Sequence, residues 1–143
     1  KGKKVAATTT NGTRAISLST GADQVFIGAF LNLGAVVKTL AQRDQDLVLF
    51  CAGWKGKYNL EDTLFAGAVC DGLIKQATFS DDASVSALYL YKSMAHDLHY
   101  YINRSNHAAR LSSFGIMKDI EYCARVDEFT GVPYLNAEGE LQL

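Results

Sequence analysis

Three short stretches carry the side chains that could do chemistry. "TTTNGTRAI" (8–16) gathers Thr8, Thr9, Thr10 and Thr13 around Asn11, Gly12 and Arg14. Short hydroxyl donors, a glycine that lets the backbone come close and a planar guanidinium together suit an anion, above all a phosphate or a sulfonate. A tight turn accounts for Asn11 and Gly12 equally well, with β-favouring threonines before it, but it does not account for Arg14. "CAGWKGKYNLED" (51–62) holds the second set. Glu61 and Asp62 could hold Mg2+, which takes one or two carboxylates plus water and substrate oxygens. They are also acids behind a capping Asn59, where a helix dipole favours them. Cys51 to Lys57 approaches the C-x5-R phosphate loop of cysteine phosphatases, but lysine stands where the bidentate fork belongs, and a cysteine ending a strand is more simply buried.

The third set is histidine. His107 lies in a break between two helical stretches and could protonate a leaving alkoxide as a general acid. His96 and His99 stand at i, i+3 beside Asp97, a spacing that can hold a metal, although no third ligand accompanies them and an amphipathic surface explains them as well.

These residues need elements to position them. "KKVAATT" (3–9), "QVFIGAF" (24–30) and the continuous apolar run "DLVLFCAG" (46–53) read as strands. Between them, "RAISLS" reads as one or two helical turns closed by Gly21, and 31–43 carries apolar residues at a helical period. Residues 59–76 read as a helix, as do residues 80–105, with Ser80 as the cap and acids in the first turn. Two shorter helices follow, the second aligning Ile116, Ile120 and Cys123, and the tail ends in a small hairpin around "NAEG". Strands alternating with helices predict a single α/β domain over 1–143, a three-layer arrangement around a mostly parallel sheet with a helix-rich C-terminal half. In such a sheet ligands collect at the carboxyl ends of strands, where "TTTNGTR", "GAFLN" and "CAGWKGKYNLED" would all lie.

Composition removes other classes. Hydrophobic residues at 48% and charged residues at 20% are those of an ordinary globular domain. A net charge of −1 leaves no electrostatic footprint for nucleic acid or an anionic membrane. No apolar run approaches the roughly 20 residues of a membrane span, and no signal peptide is visible. Three widely spaced cysteines without a C-x-x-C pair point to a reducing, cytoplasmic setting rather than a disulfide framework.

Four separated motifs, "TTTNGTRAI", "GAFLN", "CAGWKGKYNLEDTLFAGAV" and "SNHAARLSSFG…DIEYCARVDEFTGVP", together resemble the 2-phosphosulfolactate phosphatase family, in order along nearly all of the chain. The resemblance implies Mg2+-dependent hydrolysis of 2-phospho-3-sulfolactate, a small phosphorylated sulfonate, to 3-sulfolactate and phosphate; in methanogens the family serves coenzyme M synthesis. By position it implies that Thr10, Asn11, Gly12, Thr13 and Arg14 bind anions and that Asn32, Cys51 and Gly53 line the cleft. Glu61 and Asp62 become metal or water-positioning residues, and His107 an acid or binding residue. Family members carry a further N-terminal portion, with an Asp-x-x-Arg-Ala type motif and a Gly-Glu segment. The chain therefore reads as the C-terminal portion of a longer protein, expected to associate with the rest or with its own copies. The family's Ser-x-His-Gly stands here as Ser105, Asn106, His107 and Ala108. Two other functions fit the residues: a cysteine-nucleophile phosphatase using Cys51, and a non-catalytic half that binds an anion or serves assembly.

Overall fold

A computed structural model describes residues 2–143; Lys1 of the basic "KGKK" start lies outside them. The centre is one helix, α3 (Leu60–Leu73), whose side chains are apolar nearly all round: Leu64, Ala66, Ala68, Val69, Cys70 and Leu73 are all buried. A helix of that composition must be covered on several sides. Asn59 starts it as expected, its side chain accepting the Asp62 N–H at 3.2 Å.

α4 (Asp82–Met94) makes the most extensive packing against α3. Gly67 makes that packing possible, since a Cβ there would fall on the Ala87 carbonyl and within 2.8 Å of Tyr91 Cβ. α2 (Leu33–Leu40) covers another side, with Val37 filling the space that a side chain at Gly72 would occupy. Phe30, Leu33 and Val36 close the core from this side, and Leu98, Ile102, Ala108, Ile120 and Ala124 close it from the C-terminal half. The helices of that half are short: α5 (Leu98–Ile102), α6 (Asn106–Ser112) and α7 (Met117–Cys123). Of the three residues expected to align on the last, only Ile120 is buried; Ile116 and Cys123 are exposed.

Two expected helix boundaries move. The cap of α4 is Asp81 rather than Ser80, its carboxylate accepting from the Ser84 N–H at 2.7 Å and the Ser84 hydroxyl at 3.1 Å. The long helix from Ser80 also stops at Met94, because Asp97 accepts the Tyr100 N–H at 3.0 Å and begins α5 anew after a 3-10 turn, Ala95–Asp97. α1 (Gly12–Leu18) is the short helix read from "RAISLS".

The mostly parallel sheet is not there. The described residues form one two-stranded antiparallel sheet, β1 (Tyr134–Leu135) with β2 (Leu141–Gln142), the hairpin expected around "NAEG". "QVFIGAF" reaches it only through an antiparallel bridge of Phe26 to Tyr134, with Ile27 N–H donating to the Pro133 carbonyl at 2.8 Å. "KKVAATT" and "DLVLFCAG" run without any strand partner among the described residues, and Val5 and Val48 are 85% and 84% exposed. The physical reason is that an apolar β-rich run specifies an extended backbone, not the neighbour that must pair with it. What holds the core is helix against helix.

Candidate active site

The residues with chemistry meet around a four-residue turn, Trp54–Lys57. Trp54 and Lys57 exchange both backbone hydrogen bonds, at 3.0 and 2.9 Å, across Lys55 (φ 51°) and Gly56 (φ 72°). Positive φ at both central residues is the tight hairpin geometry, which glycine accepts freely and lysine at a cost. Gly53 before it has φ 67°, and a Cβ there would meet the Lys57 carbonyl at 2.6 Å.

Two side-chain oxygens, one of a carboxylate and one of an amide, fix this turn from outside. Asp62 Oδ2 accepts the Gly53 N–H at 2.7 Å, and Asn11 Oδ1 accepts the Lys55 N–H at 3.1 Å. Asn11 thus works as a strut from the threonine loop. The threonines largely serve one another: Thr13 Oγ1 accepts the Thr9 N–H at 3.0 Å, and Thr9 Oγ1 accepts the Thr13 N–H at 3.3 Å. Gly12 belongs to this closed loop, where a Cβ would stand 2.9 Å from Thr9 Oγ1. Thr10 is exposed beside it.

A cavity of 290 Å³ opens on one side of the turn, lined by Asn11, Arg14, Phe50, Cys51, Gly53 and Lys57 among others. Another, of 410 Å³, opens on the other side, where Trp54, Glu61, Arg104, Ser105, His107 and Arg110 meet. Lys57 lines both. Among the described residues none of Arg14, Lys57, Arg104 and Arg110 has a carboxylate within ion-pair distance. Cations left without partners in a chain of net charge −1 leave both cavities short of negative charge.

Glu61 and Asp62 are adjacent in sequence but face different neighbours. Asp62 holds the Gly53 loop, whereas Glu61 accepts the Ser105 hydroxyl at 2.5 Å. Ser105 also caps α6, its oxygen accepting the Ala108 N–H at 3.0 Å. Ala108 itself takes ordinary helical geometry in α6, so a glycine is not needed there. Among the described residues no three His, Cys, Asp or Glu side chains gather where they could share a metal. Magnesium needs fewer, one or two carboxylates completed by water and substrate oxygens. Glu61, on an open cavity, fits that requirement; a site shared with Asp62 does not fit, because the two carboxylates are engaged on different sides of the turn.

His107 stands next to Arg110, one helical step of three residues on. An Arg110 Nη2 lies 2.8 Å from His107 Nδ1. A guanidinium only donates, so Nδ1 must accept and the ring's hydrogen sits on Nε2. The Arg110 guanidinium also lies 3.6 Å over the face of Trp54, and the Trp54 and His107 rings meet edge to face at 6.3 Å. Trp54, Arg104 and Arg110 escaped the sequence analysis. The i, i+3 spacing of His107 and Arg110 was the one signal that could have joined them.

Other expected residues fall elsewhere. Asn32 is buried and fully engaged, its Oδ1 accepting the Ala29 N–H at 2.8 Å and its Nδ2 donating to the Gly131 and Ile27 carbonyls. It clasps two backbone segments and lines neither cavity. His96 rests edge to face on Tyr101, while His99 bonds Asn103. Cys51 does line the first cavity, but desolvation of its sulfur, and then the Asp62 carboxylate, push its thiol above the ordinary value. That is the opposite of an activated nucleophile.

A turn anchored by an asparagine and an aspartate, with a carboxylate, an imidazole and cations that have no carboxylate partner among the described residues on its two sides, has the make-up of a site for a small anion. Comparison with known proteins gives this class a family. The family model described as 2-phosphosulpholactate phosphatase matches residues 1–138, and the chain belongs to that family. A probable 2-phosphosulfolactate phosphatase of Caldanaerobacter subterraneus subsp. tengcongensis is 39% identical over 136 residues, covering 94% of this chain and 56% of the relative. One of Thermotoga petrophila, likewise named, is 40% identical over 134 residues, covering 94% and 57%. One of Symbiobacterium thermophilum is 34% identical over 145 residues, covering 100% and 62%. The chain thus spans little more than half the length of these relatives.

Proposed function

We propose that this chain is the part of a phosphatase that binds 2-phospho-3-sulfolactate and helps hydrolyse it to 3-sulfolactate and phosphate. The observation that carries the reading is the gathering of Glu61, His107 and unpaired Lys57 on one opening, with Arg14 on the adjoining one. Family membership and the names of the relatives support the substrate.

In this reaction water attacks phosphorus, the bond from phosphorus to the ester oxygen breaks, and the departing alkoxide takes up a proton. Lys57, placed on both cavities, is positioned to hold a phosphoryl oxygen from either side. Arg14 offers the planar fork that matches two oxyanion oxygens. The Nε2–H of His107 is the hydrogen-bond donor available to a developing negative charge. Asp62 and Asn11 act through the backbone, keeping the turn in the shape that sets Lys57 and Trp54. Glu61 is the residue that would hold Mg2+, which when bound polarises phosphoryl oxygens and lowers the pKa of a bound water.

The raised Cys51 thiol weakens the cysteine-nucleophile alternative. Among the described residues no helix is long and apolar enough to cross a membrane, and the cysteines are free, which supports a reducing compartment such as the cytoplasm.

The test is phosphate release from 2-phosphosulfolactate by this chain and by the full-length protein, with Mg2+ and after chelation. Release by the full-length protein that stops on chelation and returns with Mg2+ is expected. Release insensitive to chelation, with phosphate trapped on Cys51, would replace this mechanism with the thiolate one.

A further inference from the structure

The cluster of Trp54, His107 and Arg110 is more than support for a histidine. The central carbon of the Arg110 guanidinium stands 3.6 Å from the centre of the Trp54 ring, a cation–π contact that leaves its N–H donors available. One of those N–H groups is taken by His107 Nδ1 at 2.8 Å. A guanidinium has five such donors, and no carboxylate stands within ion-pair distance of Arg110 among the described residues. Lys57 and Arg104 line the same cavity, giving three cations against the one carboxylate of Glu61, which accepts the Ser105 hydroxyl. Arg104 has its own aromatic support, lying 5.4 Å from the centre of the Tyr100 ring.

We infer that this 410 Å³ cavity holds a subsite for the terminal oxyanion, a sulfonate or carboxylate, of a small organic ligand, gripped by the remaining N–H groups of Arg110 with Arg104 beside it. Stacking on Trp54 removes most of the side chain's freedom before the ligand arrives, so little ordering remains to oppose binding. The cavity's volume lies within the roughly 300–1,000 Å³ range of small-molecule sites. The identity of the ligand as a sulfolactate rests on the phosphatase reading; the existence of an oxyanion subsite does not.

Trp54 is the only tryptophan in the chain, so its fluorescence reports this cavity alone. Titration of the chain with 3-sulfolactate is expected to give a saturable change in Trp54 emission. Arg110→Gln, with its fold checked by circular dichroism, should weaken that binding about tenfold or more, the loss expected for a charge-assisted pair. Arg110→Lys keeps the charge but loses the fork and should fall between the two. Arg125→Gln, which lines neither cavity, should leave the Trp54 response in place. Wild-type affinity in Arg110→Gln, or loss of the Trp54 response in Arg125→Gln alone, would overturn the assignment. Saturable binding without any phosphate release by the full-length protein would sink the phosphatase reading and leave the subsite standing. Turnover with an unchanged KM in Arg110→Gln would do the reverse.

Discussion

At the scale of single residues, the adjacent carboxylates separate by their partners. Glu61→Gln in the full-length protein should lower phosphate release on the order of a hundredfold or more, beyond the roughly 10–100-fold that follows when only a ligand's neighbour is changed. Raising Mg2+ should restore part of the loss. Asp62→Asn should act differently, because an amide oxygen can still accept the Gly53 N–H and hold the loop. Activity within a few-fold of wild type, at unchanged Mg2+ dependence, is expected; Mg2+ titrations of both variants check it. Cys51 supplies a prediction in pH. Its thiol is raised by desolvation and by the Asp62 charge, so at any neutral pH it holds less thiolate than a free cysteine. Alkylation by iodoacetamide should be slower than for a model thiol at pH 7 and accelerate only above the ordinary thiol range, and Cys51→Ser should retain most activity. A rapid reaction at neutral pH would return Cys51 to the list of nucleophiles.

At the scale of elements, the α3–α4 contact is the most exposed to a one-carbon change. Gly67→Ala puts a methyl group onto the Ala87 backbone carbonyl, where neither helix can yield by turning a side chain. Overpacking of this kind costs about 1–3 kcal/mol, and thermal unfolding of the variant should show it. The Asp81 cap of α4 carries a pH signature. Hydrogen bonds from Ser84 hold its carboxyl below the usual range, so the cap's contribution is complete above the ordinary carboxylate value and fades as pH falls through the lowered one. Asp81→Asn should flatten that part of the stability–pH curve. Much of this level was legible in sequence: Asn59 and the acids behind it mark α3, and "NAEG" marks the hairpin, because caps and turns are decided within a few residues. Pairing between strands is decided by distant residues, which is why "DLVLFCAG" carries a clear pattern and yet pairs with no strand among the described residues. The site was legible in the same uneven way. Lys57 and Glu61 sit in one motif, whereas Arg110 joins them only through a helix some fifty residues later in the chain.

At the scale of the whole molecule, a small core is wrapped by segments that contribute unequally. Residues 46–52 link α2 to α3, yet their backbone groups find no protein hydrogen-bond partner among the described residues, and only Leu49 packs against the core. Val48 and Phe50 face outward, 84% and 53% exposed. Exposed apolar side chains on a backbone without hydrogen-bond partners invite association, so light scattering of the isolated chain should rise with concentration, and Val48→Lys should reduce it. The same segment has a consequence for how long the chain survives. An endoprotease binds its substrate as an extended strand, and most of a folded domain must open before it can comply. Here residues 46–52 have no backbone hydrogen bonds to give up among the described residues, and Leu47 and Phe50 are side chains that chymotrypsin accepts. Cleavage should therefore proceed at a rate that does not follow the free energy of unfolding: stabilising α3 against α4 would raise the melting temperature and leave the half-life under chymotrypsin where it was.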